Sequence, residues 1–168
     1  LEQRMSPCLV PKNSPLGQLE GGTNMVVLEG DAVEQIVLRG PGAGEGPTAS
    51  AVMGDVMDIA RGIRIPTFGL PAAQLSSPAT ACEAAPVPYY LRMALHDKPG
   101  ALAKVATILG NAGVSIDRMR QYRHEADTAP VLIVTHKTAP SALAAALEAL
   151  SQVDVVASAP VALRIESV

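Results

Sequence analysis

Residues 65–88 read IPTFGLPAAQLSSPATACEAAPVP, and the five prolines in this window remove backbone donors and disfavour helix at the residue before each. Neither a regular helix nor a central strand can run through it. Its Pro, Ala and Ser content, without a period of 2 or 3.6, marks a linker. The 168 residues are therefore expected as two halves, 1–64 and 89–168, joined by 65–88. Apolar residues make up 48% of the chain, enough for a core in either half.

Charge and cysteine content narrow the classes of function. A net charge of −3 with 17% charged residues provides no basic field for a polyanion, so nucleic acid is not an expected partner. Cys8 and Cys82 stand far apart with no CxxC, which reads as two reduced thiols in a cytoplasmic protein. His96, His124 and His136 have neither i,i+4 spacing nor an HExxH context, so no metal site is expected. No apolar run approaches the ~20 residues that cross a bilayer. The chain opens Leu-Glu-Gln-Arg without an initiator Met, which reads as a cut from a longer polypeptide.

In the first half, MVVLE (25–29) and QIVLR (35–39) flank a turn-prone Gly30-Asp31 and read as adjacent strands, with CLVP (8–11) as a third candidate. Val52, Val56, Ile59 and Ala60 recur at helical spacing within 48–61, which predicts an amphipathic helix. The second half has a more regular rhythm. YYLRMAL (89–95) alternates as a strand, and Leu102, Val105, Ala106 and Leu109 then share a helix face. Asp97 is a candidate capping carboxylate, Pro99 a first-turn proline and Gly113 a left-handed stop. VSIDRMRQYR (114–123), the polar turn HEADTA and PVLIVTHK (130–137) form a hairpin. A helix carrying Leu143, Ala146, Leu147 and Leu150 follows, and VALRIES (161–167) closes the unit. The order is βαββαβ, a ferredoxin-like unit, and the chain as a whole is α+β.

GPGAGEGPTASAVMGD, from Gly40 to Asp55, raises the question of a phosphate-binding loop. No register fits G-x-G-x-x-G: counted from Gly40 the third glycine is Glu45, and from Gly42 it is Pro47. The phosphate-binding G-x-x-x-x-G-K-[ST] also fails, since no Lys lies between Lys12 and Lys98. A strand, glycines and a helix start still leave backbone N–H groups free at a positive helix end, able to touch a cofactor held elsewhere. A tight strand-to-helix turn with positive φ is the simpler alternative. Asp55 and Asp58 read as a solvated helix edge, and Arg118, Arg120 and Arg123 as a solvent-facing strand or subunit contact.

NMVVLEGDAVEQ followed by LRGPGAGEGPTASAVMGDVMDIAR closely resembles the final part of the catalytic domain of homoserine dehydrogenases. DKPGAL followed by AGVSI resembles the ACT domain that bacterial members carry behind it. The resemblance implies a partial catalytic-domain segment at 1–64 and an ACT regulatory domain at 89–168. It implies a parent enzyme that interconverts L-homoserine and aspartate semialdehyde with NADP or NAD, on the way to threonine and methionine. The family's nucleotide fingerprint, substrate lysine and acidic residues are not in this chain, so no catalytic residue is assigned to it. No cofactor is expected bound to these residues alone. The GPGAG loop of the family returns to the nicotinamide cofactor, which points to Gly44, with Gly42 beside it.

For the second half, the resemblance implies an amino-acid effector, such as threonine, at the loop before the first helix, often at an interface between two copies. The residues so implied are Asp97, Gly100, Ala101 and Leu102, with Ser115 and Ile116 of the second strand facing that loop. Helix-start N–H groups attract a carboxylate, and Gly100 permits close approach. An ACT domain that only builds a homo-oligomer is the other reading. A free-standing amino-acid-binding or oligomerising module is the alternative for the whole chain, and the GPGAG segment argues against it.

Overall fold

The computed structural model describes residues 1–66, 68–80, 84–122 and 127–167. Cys82, Arg123 and His124 of the sequence reading lie outside them, as does the first half of the HEADTA turn. The chain divides into two compact units, one of residues 1–10 with 80–167 and the other of residues 11–79.

The larger unit holds a five-stranded sheet in the order β1-β7-β4-β6-β5. Its strands are β1 (Cys8–Leu9), β4 (Tyr89–His96), β5 (Ile116–Gln121), β6 (Thr128–Thr135) and β7 (Val161–Ile165). Helix α2 (Ala101–Asn111) follows β4 and α3 (Pro140–Ser151) follows β6, completing the expected βαββαβ order. Alternation dictates the faces: Tyr89, Leu91, Met93 and Leu95 of β4 and Ala129, Val131 and Ile133 of β6 are buried. Against them α2 buries Ala101, Val105 and Leu109, and α3 buries Leu143, Ala146 and Leu150. These are the i,i+4 and i,i+3 spacings of a single helix face. The α2 face is rotated from the expected one, because Ala101 takes the place of Ala106, which is exposed.

The ends of these elements follow from local chemistry. Helix α2 starts at Ala101 on Gly100, left-handed at φ 83 and without a side-chain cap. Asp97 and Pro99 therefore precede the helix and neither caps nor opens it. Gly113 stops the helix at φ 77, and Val114 N–H bonds the Leu109 carbonyl at 2.8 Å. Pro140 opens α3, where its missing N–H costs nothing. The buried Thr135 hydroxyl accepts the Tyr89 N–H at 3.0 Å and donates to the His136 carbonyl at 2.8 Å, so it carries no unmet bond into the core.

In the smaller unit, β2 (Thr23–Gly30) and β3 (Glu34–Pro41) pair antiparallel. Their three-residue connection places Glu34 at φ 55, as a left-handed closing residue requires. Helix α1 (Glu45–Ala60) follows, beginning three residues before the expected Thr48. Its apolar spacing is helical, yet it has no buried residue. Val52, Met53, Val56, Met57 and Ile59 are 45% to 69% exposed. On the ribbon, the opposed pairs Val26–Leu38 and Leu28–Ile36 are likewise exposed. Among the described residues of this unit only Ser14 is buried.

The strand read at CLVP forms, but not beside β2 and β3. Cys8 pairs with Arg164 and Leu9 with Ile165, parallel to β7, and the Glu166 N–H donates to the Leu9 carbonyl at 2.9 Å. Among the described residues no helix is long and apolar enough to cross a membrane.

Candidate functional site

Two places carry the residues that the sequence singles out, one in each unit. In the smaller unit, β3 ends at Pro41 and α1 begins at Glu45, with Gly44 as N-cap at φ 125 and ψ 152. A side chain is strained in that backbone conformation, so glycine is required there. The first helical bond runs from Thr48 N–H to the Gly44 carbonyl at 3.1 Å. Pro47 has no N–H, and no side chain caps the turn. The N–H groups of Glu45 and Gly46 are thus left at the positive end of a 16-residue helix. Gly44, Glu45, Thr48, Ala49, Val52 and Met53 line a shallow groove beside them.

Gly42 is required for a different reason. A Cβ built on it would stand 1.4 Å from Asn24 Nδ2 and 2.7 Å from Asn24 Cγ, so the Asn24 carboxamide occupies the space that a side chain would take. Asn24 lies opposite Gly40 in the ribbon. Sequence pattern gave no pointer to it, because the residue matters through cross-strand register. Asp55 and Asp58 form no acid–base pair: Asp58 lies 4.0 Å from Arg61 and both are exposed. The arrangement offers backbone donors beside an apolar groove, suited to holding a ligand rather than to moving protons.

In the larger unit, the turn from β4 to α2 is tightly bonded. Asp97 N–H donates to the Asp127 carbonyl at 3.1 Å, Lys98 N–H to the His96 carbonyl at 2.8 Å and Ala101 N–H to the Lys98 carbonyl at 3.1 Å. The first helical bond, Lys104 N–H to the Gly100 carbonyl at 3.0 Å, leaves the Leu102 and Ala103 N–H groups ahead of it. A Cβ on Gly100 would meet nothing within 4 Å, so the helix start is open to a ligand. Ala101 is buried and Leu102 half-buried. Nearby, Lys104 Nζ reaches Asp154 Oδ1 at 2.9 Å. That hydrogen bond, followed by the lysine's charge, holds the Asp154 carboxyl below the usual carboxylate range.

Ser115 and Ile116 are not beside this turn within one chain. Ser115 is exposed, and its carbonyl accepts the His136 N–H at 2.9 Å, while Ile116 pairs with Thr135 at the end of β6. Gly100 stands at the opposite end of α2, whose 11 residues span about 16 Å. Of the arginine strip, Arg118 pairs with Asp117 at 2.9 Å and Arg120 lies 4.6 Å over the Tyr122 ring, so both are engaged locally.

Comparison with known proteins places these two regions. Residues 1–57 match the homoserine dehydrogenase family model, and residues 89–155 match the ACT domain model. The chain is 35% identical over 98% of its length to a homoserine dehydrogenase of Pseudomonas aeruginosa, and 34% identical over 99% to one of Synechocystis. In each case it spans 40% of the relative's length. The solved structure of a homoserine dehydrogenase from Thiobacillus denitrificans superposes with a TM-score of 0.80 at 33% identity, over 96% of this chain and 38% of that one. Residues 1–57 therefore belong to the homoserine dehydrogenase family, and an ACT domain stands behind them at residues 89–155.

Proposed function

We propose that the chain works as the carboxyl-terminal part of a homoserine dehydrogenase, an oxidoreductase that interconverts L-homoserine and aspartate semialdehyde with NADP or NAD. The open start of α1 at Gly44, inside a segment of that family, carries the reading. Its free Glu45 and Gly46 N–H groups suit the polar part of a nicotinamide cofactor held by other residues, and the groove ending at Val52 and Met53 suits an apolar ring. Gly42 and Gly44 keep the backbone bare at that point. Hydride transfer needs a positioned cofactor and a polarised carbonyl, and the residues described supply neither. Residues 1–168 alone are inactive in this reading and hold no cofactor tightly.

The ACT domain acts as an amino-acid sensor, with threonine as effector, and as the contact between copies. The reachable α2 start at Gly100, with the Leu102 and Ala103 N–H groups, suits a carboxylate. Asp97 and Ala101 shape the same turn. Ser115 and Ile116 of a second copy complete the site, since their own chain holds them a helix length away. Threonine at a hundredfold excess over its Kd stabilises the protein by about 2.7 kcal/mol through mass action. Thermal unfolding with and without millimolar threonine checks this: a melting temperature raised by several degrees supports the sensor, and an unchanged one leaves oligomerisation alone.

A further inference from the structure

At the end of the β2–β3 ribbon, Thr23 lies across from Pro41 and Asn24 across from Gly40. In an antiparallel pair a residue shares its face with the one opposite and with the diagonal neighbour two positions along. For Asn24 these are Gly40 and Gly42. Of the three positions, Asn24 alone carries a side chain.

That side chain has a direction. A Cβ built on Gly40 would meet nothing within 4 Å, whereas one on Gly42 would stand 1.4 Å from Asn24 Nδ2 and 3.5 Å from Asn24 Oδ1. The carboxamide therefore leans away from its cross-strand partner and over the loop that leads to the Gly44 N-cap. Gly42 and Gly44 are two residues apart, at most about 7 Å of chain. Nδ2 faces Gly42, which leaves Oδ1 as the more distant atom. Asn24 is exposed, and no hydrogen bond reaches its carboxamide from the described residues. Asparagine is depleted in strands, where a β-branched residue would serve the ribbon better. Its polar atoms are thus free, at the one end of the ribbon that runs into the glycine loop.

We propose that Asn24 is a cofactor-contacting residue, whose Oδ1 accepts a hydrogen bond from the carboxamide N–H group of a nicotinamide ring seated at the Gly44 loop. This rests on the reading of that loop as cofactor-facing. The free Glu45 and Gly46 N–H groups are donors and suit the oxygen of the ring's amide. The amide's nitrogen needs an acceptor, which Oδ1 supplies. Glycine at 42 and asparagine at 24 then act as a pair, since a methyl at 42 would displace the carboxamide from the loop.

The test uses residues 1–168 joined behind the amino-terminal part of the Pseudomonas aeruginosa relative, with the nicotinamide cofactor and with its 3-acetylpyridine analogue. The methyl ketone of the analogue keeps the amide's oxygen and lacks its N–H groups. The quantity read is the ratio of kcat/KM for the two cofactors; the different reactivity of the two rings cancels when that ratio is compared between variants. Asn24→Ala should lower the preference for the amide about fivefold, as expected for one neutral hydrogen bond. Asn24→Asp keeps an acceptor and should hold the preference at or above its unaltered value. Gly42→Ala should lower it as Asn24→Ala does, and the two together no further. A fall in kcat/KM for both cofactors alike, with the ratio unchanged, marks a structural residue and overturns the proposal. An unaltered fusion without turnover overturns the reading of the loop and this inference with it, whereas turnover with a ratio indifferent to Asn24 overturns this inference alone.

Discussion

Leu91→Ala is expected to destabilise the ACT unit by about 3–5 kcal/mol, the upper part of the range for a buried leucine truncated to alanine. Leu91 is fully buried on β4, with Ala162 of β7 on one side and Ile133 of β6 on the other. Neighbours bonded into a ladder on both sides cannot collapse into the space, so the cavity persists and its lining loses contacts. At about 4–8 °C per kcal/mol for a unit of this size, the melting temperature should fall by more than ~12 °C. Calorimetry or urea unfolding measures it. The same truncation at Leu28, which is 49% exposed, should cost less than ~1 kcal/mol. Equal losses at the two sites would mean that the core is not where the structure puts it.

The second large effect is a contrast in local stability within one chain. Amides of β2, β3 and α1 should exchange at least a hundredfold faster than those of β4 and β6, with the Pro11–Gln18 turn as the exception. Slow exchange requires that opening expose much buried surface, and among the described residues this unit buries no apolar side chain. A two-stranded ribbon is marginal in water by itself, and a helix depends mainly on packing an apolar face. Both are present here with that face uncovered. Hydrogen exchange followed residue by residue in the intact chain checks this, and uniform protection across the two units would refute it.

The sequence disclosed the ACT unit well because each of its elements carries its own instruction. Tyr89–His96 alternates strictly, Val105 and Leu109 mark a helix face, and Gly113 takes the left-handed conformation that a side chain disfavours. Each local pattern agrees with the final packing, so reading them separately recovers the βαββαβ order. Where the reading slipped, the cause was local competition. Asp97 and Pro99 look like a helix start, but the turn bonds between Lys98, Ala101 and His96 use up that stretch and delay the helix to Gly100.

The first half was less legible for a physical reason. Its hydrophobic pattern states which residues need covering but not what covers them. Val52, Val56 and Ile59 predicted an amphipathic helix, and α1 forms there with those side chains exposed. Cys8 and Leu9 predicted a strand, yet a two-residue strand has too little pattern to name its sheet, and only the β7 register decides that. Asn24 was invisible because its role depends on lying across from Gly40 and filling the space over Gly42. Ser115 and Ile116 were assigned to the loop at Gly100 by resemblance alone, and the length of α2 separates them within a chain.

The central claim is that these residues carry a regulatory unit and a cofactor-facing segment, while the reacting groups lie elsewhere in the enzyme. Homoserine-dependent reduction of NADP or NAD by residues 1–168 tests it most directly, set against a fusion that places them behind the amino-terminal part of the Pseudomonas aeruginosa relative. The account predicts no turnover from the 168 residues and restored turnover from the fusion. Clear turnover by the 168 residues alone would contradict it.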